Sequence, residues 1–211
     1  MSANQSTCAL FESLTPAQRQ LAEKMEQCEQ MPDYSTLQHG LDCFANFDTM
    51  LDILWYEKFN TTQFKLPEWF TTYGKSIYAN IHNMETAERY IVFHDGGKWA
   101  CLITDADGKR HFPNHAEVSQ KIFREHFDDE TAAKMIGWDM ALHTMKDADI
   151  DYWLAQWSTK DACTLLLASL AEIHANAALF GGLESQSFKI KWKQISKRGM
   201  AICKKLFGEQ A

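Results

Sequence analysis

The sequence predicts an all-α fold that carries one small β-hairpin. Apolar residues recur at three- and four-residue intervals over most of the 211 residues, the spacing that gathers them on one helical face. The stretch Trp99 to Phe112 departs from that pattern. Its two extended arms flank Asp105-Ala106-Asp107-Gly108, a sequence suited to a tight turn.

Taken in order, the elements begin at Thr15-Pro16, where proline at the first helical position costs no hydrogen bond. Leu37, Leu41, Phe44, Phe47 and Leu51 then define an amphipathic helix bearing His39. Leu66-Pro67 opens a segment rich in aromatics (Trp69, Phe70, Tyr73, Tyr78) that leads toward His94. After the hairpin, Pro113-Asn114 starts a helix, with Asn114 as its N-cap and Glu117 as the capping-box partner. Helices are expected around Thr131–Thr144, Asp149–Gln156 and Asp161–Phe180, and Gly181-Gly182 breaks the chain before a basic C-terminal segment. No repeat or long linker divides the sequence, so a single domain over 1–211 is expected, with a core of about 34–180 and the basic segment at 183–211.

Hydrophobic residues at 45% and charged residues at 23% are ordinary for a globular protein. The opening residues lack a basic stretch followed by an apolar one, and no apolar run approaches the roughly 18 residues of a membrane span. Cys8, Cys28, Cys43, Cys101, Cys163 and Cys203 form no CxxC pair. They are read as small buried hydrophobes of a reducing cytosol, and a cytoplasmic protein without a membrane partner is expected. Net charge is −7, yet from Lys189 onward seven basic residues meet one acidic residue. That tail is either a polyanion-attracting surface or the solvated face of a terminal helix.

The chemistry concentrates at His94-Asp95, which follows the apolar run Tyr90-Ile91-Val92-Phe93 and lies between His39 and His115. A buried carboxylate is costly unless it is paired or holds a metal. Gly96-Gly97-Lys98 adds pliant backbone and a cation beside it, while His143 and Glu172 lie on later helices. Imidazole with carboxylate suits manganese, iron, cobalt, nickel or zinc, with magnesium also allowed, and the absence of cysteine ligands argues against a structural zinc site. One ion can take His39, His94, Asp95 and a distal acid. A second can take His115 and His143, with Asp95 bridging.

This arrangement resembles the HD-domain superfamily of metal-dependent phosphohydrolases, through Gln38-His39-Gly40, His94-Asp-Gly-Gly-Lys98 and Asn114-His-Ala-Glu-Val-Ser119, over roughly residues 34–177. The resemblance implies an HD-type helical bundle. It makes His39 the first ligand, His94 and Asp95 the signature pair, and His115 and His143 the added histidines of the two-metal branch. The family's last ligand is a helical Asp; the matching helix here, Leu165 to Glu172, ends in Glu. Asp139, four residues before His143, competes with Glu172 for that role.

The resemblance implies hydrolysis of nucleotide or nucleic-acid phosphate esters, with 2′-phosphate and 2′,3′-cyclic phosphate ends of RNA favoured and nucleoside mono- or triphosphates close behind. Lys98 is expected to contact substrate phosphate or lie beside the metal. His111 is expected to donate a proton to a leaving oxygen, or to be merely exposed. Lys189, with Ser185 and Ser187, is a further candidate for phosphate binding. Two other classes stay open: a di-iron oxygenase of the same ligand order, acting on a small hydroxylated or phosphonate substrate, and a non-catalytic binding module. A homodimer is also left open.

Overall fold

The computed structural model describes residues 10–209. It is mostly helical with two small hairpins, and the chain folds into two compact units. Among the described residues no helix is long and apolar enough to cross a membrane.

The first unit takes the chain up to Ala45 and then Met84–Asp139. Helix α1 (Pro16–Gln27) starts as the sequence predicts: Thr15 and Gln18 form a capping box, Pro16 stands at the first helical position, and Leu21, Ala22 and Met25 are buried. A hairpin that the sequence did not announce follows, β1 (Glu29–Met31) paired antiparallel with β2 (Tyr34–Ser35) through a turn with Asp33 at positive φ. Its arms are too short and polar to show alternation. Helix α2 (Thr36–Tyr56) contributes its opening turns to this unit, and Thr36 Oγ1 ties them to the Met25 carbonyl at 2.9 Å.

The second unit is built from Asn46–Asn83 and Met140–Ala211, of which residues to 209 are described. Short helices α3 (Glu68–Thr72) and α4 (Gly74–Tyr78) precede its central parts. In the first unit the chain then runs through α5 (Met84–Phe93), a single turn α6 (Lys98–Cys101), and the expected hairpin β3 (Ile103–Thr104) and β4 (Arg110–His111). That hairpin is smaller than predicted, because Trp99 to Cys101 is helical and each arm pairs over two residues.

Helix α7 (His115–His126) begins after Asn114 as expected, but Asn114 is left-handed (φ 54°) and its side chain makes no capping bond. The predicted box with Glu117 is therefore not formed. Helix α8 (Glu130–Gly137) packs on α7, where Gln120 Nε2 donates to the Ala133 carbonyl at 3.0 Å. Phe93, Phe123 and Phe127 close the core beneath the end of α5. The Phe123 and Phe127 rings are stacked at 4.5 Å, and Phe93 to Phe127 is 4.7 Å. Such pairs add about 0.5–1.5 kcal/mol beyond their buried area.

The sequence joins Thr131 to Thr144 in one helix; the structure ends α8 at Gly137 and restarts with α9 (Ala141–Thr144), in the second unit. There α10 (Ile150–Leu154) leads to α11 (Thr159–Ala175), which is buried almost all round and is started by a Ser158–Asp161 capping box. Gly181 and Gly182 both take positive φ and break the chain. The last helix, α12 (Gln186–Phe207), buries Phe188, Ile195, Gly199 and Ile202 on one side. A Cβ on Gly199 would sit 2.3 Å from Trp69 Nε1, so this glycine permits close approach of α12 to α3. Of the basic residues of α12, Lys189 pairs with Glu184 at 2.8 Å and Lys205 with Asp151 at 2.6 Å at the surface, while Arg198 is buried and donates to the Leu142 carbonyl at 2.8 Å.

Candidate metal centre

Two glycines position the site. A Cβ on Gly40 would stand 2.1 Å from the Val92 carbonyl oxygen, so α2 meets α5 backbone to backbone there. Their neighbours His39 and His94 are thereby brought ring to ring, centroids 5.2 Å apart. A Cβ on Gly97 would stand 2.5 Å from Ser119 N, and Gly97 N–H donates to Ser119 Oγ at 2.9 Å. This locks the turn after α5 against α7. His115 lies four residues before Ser119, on the same face of α7.

The histidine tautomers are set by backbone carbonyls. His94 Nδ1–H donates to the Ile91 carbonyl at 2.7 Å, satisfying one of the carbonyls orphaned at the end of α5. His115 Nδ1–H donates to the Phe112 carbonyl at 3.0 Å. In both rings this leaves Nε2 as the nitrogen that faces Asp95 and the one free to ligate a metal from the neutral ring.

Asp95 is 1% exposed, and three imidazoles surround its carboxylate. His94 Nε2 is 3.3 Å and His39 Nε2 3.7 Å from Oδ2, while His115 Nε2 is 3.8 Å from Oδ1. Lys98 Nζ is 2.6 Å from Oδ2 and also donates to Gln30 Oε1 at 3.0 Å. Burial alone would raise the Asp95 pKa, but the Lys98 ammonium, followed by His94 and His39, holds it well below the usual carboxylate range. The carboxylate is ionised.

Nitrogen and oxygen ligands bind a zinc-like ion at about 2.0–2.2 Å, which places neighbouring ligand atoms roughly 3.0–3.6 Å apart. The three imidazole–carboxylate separations reach that range with contraction by a few tenths of an ångström. His39, His94 and Asp95 Oδ2 together are a donor set for a borderline divalent ion, and His115 faces the other oxygen of the same carboxylate. Asp139, also buried, has a carboxylate oxygen within 4.8 Å of a His94 nitrogen, and its Oδ1 accepts from Tyr90 Oη at 2.7 Å.

The chain matches no family model, no curated protein and no solved structure.

The site opens on a groove of about 720 Å³ lined by Lys98, Arg110, His111 and His115, with Ile103, Phe112 and Pro113 as apolar walls. Arg110 is fixed by Glu29, through its side chain at 2.7 Å and its carbonyl at 3.0 Å. His111 is exposed, with Nε2 2.9 Å from Asp105 Oδ2, and that hydrogen bond lowers the Asp105 pKa.

The remaining expected residues belong to the second unit. There His143 Nε2 and Glu172 Oε2 pair at 2.8 Å. Lys189 is exposed and paired with Glu184. His174 is a core histidine: Nδ1–H donates to the Leu170 carbonyl, Nε2 accepts from Lys65 N–H, and burial lowers its pKa. His82 pairs with Asp161 at 2.7 Å.

Two residues beside the site escaped the sequence reading. Tyr90 stands at helical spacing from His94, a signal the pattern does carry. Gln30 lies in the unforeseen hairpin and has no such signal.

Proposed function

We propose that this protein is a metal-dependent phosphohydrolase of the HD type that acts on nucleotide or nucleic-acid phosphate esters. The observation that carries the reading is the buried Asp95 carboxylate, ringed by three imidazole nitrogens at 3.3–3.8 Å and opening on a groove lined by Lys98, Arg110 and His111. His39, His94, Asp95 and His115 would hold the ion, with Asp139 in reserve beside His94. Manganese, iron, cobalt, nickel and zinc all suit this donor set. The bound ion would lower the pKa of a water and draw charge from a phosphoryl oxygen.

The chain's own side chains supply the rest. Lys98 both touches Asp95 and lines the groove, so its ammonium is placed to turn to a phosphoryl oxygen once Asp95 is otherwise neutralised. Arg110, held by Glu29, gives the groove a fixed positive charge. His111 stands at the rim, where it can pass a proton to a leaving oxygen.

The test is metal analysis of the purified protein, followed by a screen of mononucleotides, cyclic nucleotides and 2′- or 3′-phosphorylated oligonucleotides with several divalent ions. Stoichiometric metal and release of phosphate are expected, both lost in a His94→Ala, Asp95→Ala variant. Turnover that needs dioxygen and releases no phosphate from any ester would instead establish the oxygenase.

A further inference from the structure

We propose that the first hairpin builds an oxyanion clamp in this groove: Glu29 and Gln30, adjacent residues of β1, position Arg110 and Lys98 so that both cations meet one phosphate group. The two cations come from different segments, Lys98 from α6 and Arg110 from β4, and both line the groove. Arg110 Nη2 donates to Glu29 Oε2 at 2.7 Å and Nη1 to the Glu29 carbonyl at 3.0 Å. Lys98 Nζ donates to Gln30 Oε1 at 3.0 Å.

A regular strand sends neighbouring side chains to opposite faces, so adjacent residues do not ordinarily serve one groove. A bulge changes this in β1. Glu29 pairs with Ser35 and Met31 with Tyr34, so the three residues of β1 oppose the two of β2, and Gln30 is the extra one. Such a bulge re-aims a side chain, a device common beside active sites.

The two contacts leave both cations able to act on an anion. Glu29 takes Arg110 through its terminal nitrogens, and the remaining N–H groups of the guanidinium can donate to phosphate oxygens. Lys98 Nζ lies 2.6 Å from Asp95 Oδ2 and 5.3 Å from the centre of the Phe112 ring, a wall of the groove, so the ammonium stands where the carboxylate and the groove meet. Gln30 is neutral and orients that ammonium without cancelling its charge. The competing role for the hairpin is an exposed turn whose Glu29–Arg110 pair contributes little.

This inference rests on the phosphohydrolase reading for its choice of anion, and the test separates the two. The probe is inorganic phosphate, titrated calorimetrically into the full-length protein as purified. Gln30→Leu changes no charge and should weaken phosphate binding about 10-fold, in line with loss of a hydrogen bond to a charged group. In a Lys98→Met background the same change should have no effect, because Gln30 acts through Lys98. Glu29→Ala tests the sign: removing a carboxylate tightens phosphate binding if net charge alone matters, and weakens it if Glu29 positions Arg110. Weaker binding is expected, and only while Arg110 is present. Unchanged affinity in folded Gln30→Leu, an equal loss in the Lys98→Met background, or tighter binding by Glu29→Ala overturns the clamp, as does a native protein that binds no phosphate. Nuclear magnetic resonance of the native protein gives a reading independent of any variant. The side-chain nitrogen signals of Lys98 and Arg110 should shift along one phosphate titration curve, and a shift in only one of them overturns the pairing. Phosphate held by the clamp with no ester hydrolysed overturns the phosphohydrolase reading alone.

Discussion

Lys98 Nζ stands 2.6 Å from Asp95 Oδ2, one helical turn along the chain, and both side chains are largely shielded from water. The ammonium is the principal group that keeps this buried carboxylate ionised against the cost of its burial. Lysine and carboxylate together also set how the site responds to a cation, because anything that neutralises Asp95 releases Lys98 toward the groove.

Lys98→Met should therefore act in two ways. Asp95 has a folded-state pKa below its unfolded value of about 3.9, so its contribution to stability is present above that pH and is lost only as pH falls through the lower, folded value. Without Lys98 the folded pKa rises and the loss begins at higher pH. Acid unfolding of the metal-stripped variant should have a higher midpoint than that of the native chain, and stability at neutral pH should fall by about 3–5 kcal/mol, as for a broken buried pair. The variant should still take up metal but turn over phosphate esters more slowly. An unchanged acid midpoint would show that Lys98 is not the counter-ion of Asp95.

Tyr90→Phe deletes one hydroxyl and leaves the ring in place. The hydroxyl donates to Asp139 Oδ1 at 2.7 Å in a buried setting, so the loss should cost about 1–3 kcal/mol. If Asp139 is part of the centre, zinc affinity should also fall by roughly 10- to 100-fold, the usual effect of removing a partner that orients a ligand. Thermal melts with and without zinc separate the effects: a variant destabilised by the same amount in both conditions would remove Asp139 from the site.

His111→Gln addresses the groove. The His111–Asp105 pair of the second hairpin is exposed, and exposed ion pairs contribute little to stability. The melting temperature and metal content should stay at native values while phosphoester turnover drops, most steeply for substrates with poor leaving groups. Equal turnover of good and poor leaving groups, relative to native, would exclude His111 as the proton donor.

The parts of the site that were legible in the sequence are those whose spacing is local. His94-Asp95 follows its own apolar run, and His39 sits on the helix marked out by Leu37, Leu41 and Phe44. His115 follows a helix start that the sequence marks, although Asn114 reaches it by a left-handed backbone and not by a capping bond. What could not be read depends on distant segments meeting. Gln30 reaches Lys98 from a hairpin too short to carry a periodic signal. At Gly137, where α8 ends, a Cβ would fall 2.4 Å from the Gln120 amide, so the close packing of α7 there depends on glycine.

Gly40→Ala makes the sharpest demand on the packing argument. The added methyl would lie 2.1 Å from the Val92 carbonyl oxygen, and both partners are backbone on helices, so no side chain can swing aside. The helices must separate by an ångström or more, which overpacking data put at about 1–3 kcal/mol or above. His39 precedes Gly40 on α2 and His94 follows Val92 by two residues, so the same displacement widens the gap between their ligand nitrogens. A metal centre tolerates errors of only about 0.2 Å in its ligand distances. The variant should therefore lose metal affinity out of proportion to its loss of stability. The comparison is a destabilising change of similar size in the same unit that leaves the α2–α5 contact untouched, Phe127→Leu, which should retain metal at temperatures where it remains folded. If Gly40→Ala binds metal as tightly as Phe127→Leu, the approach of α2 to α5 is not what sets the geometry of His39 and His94.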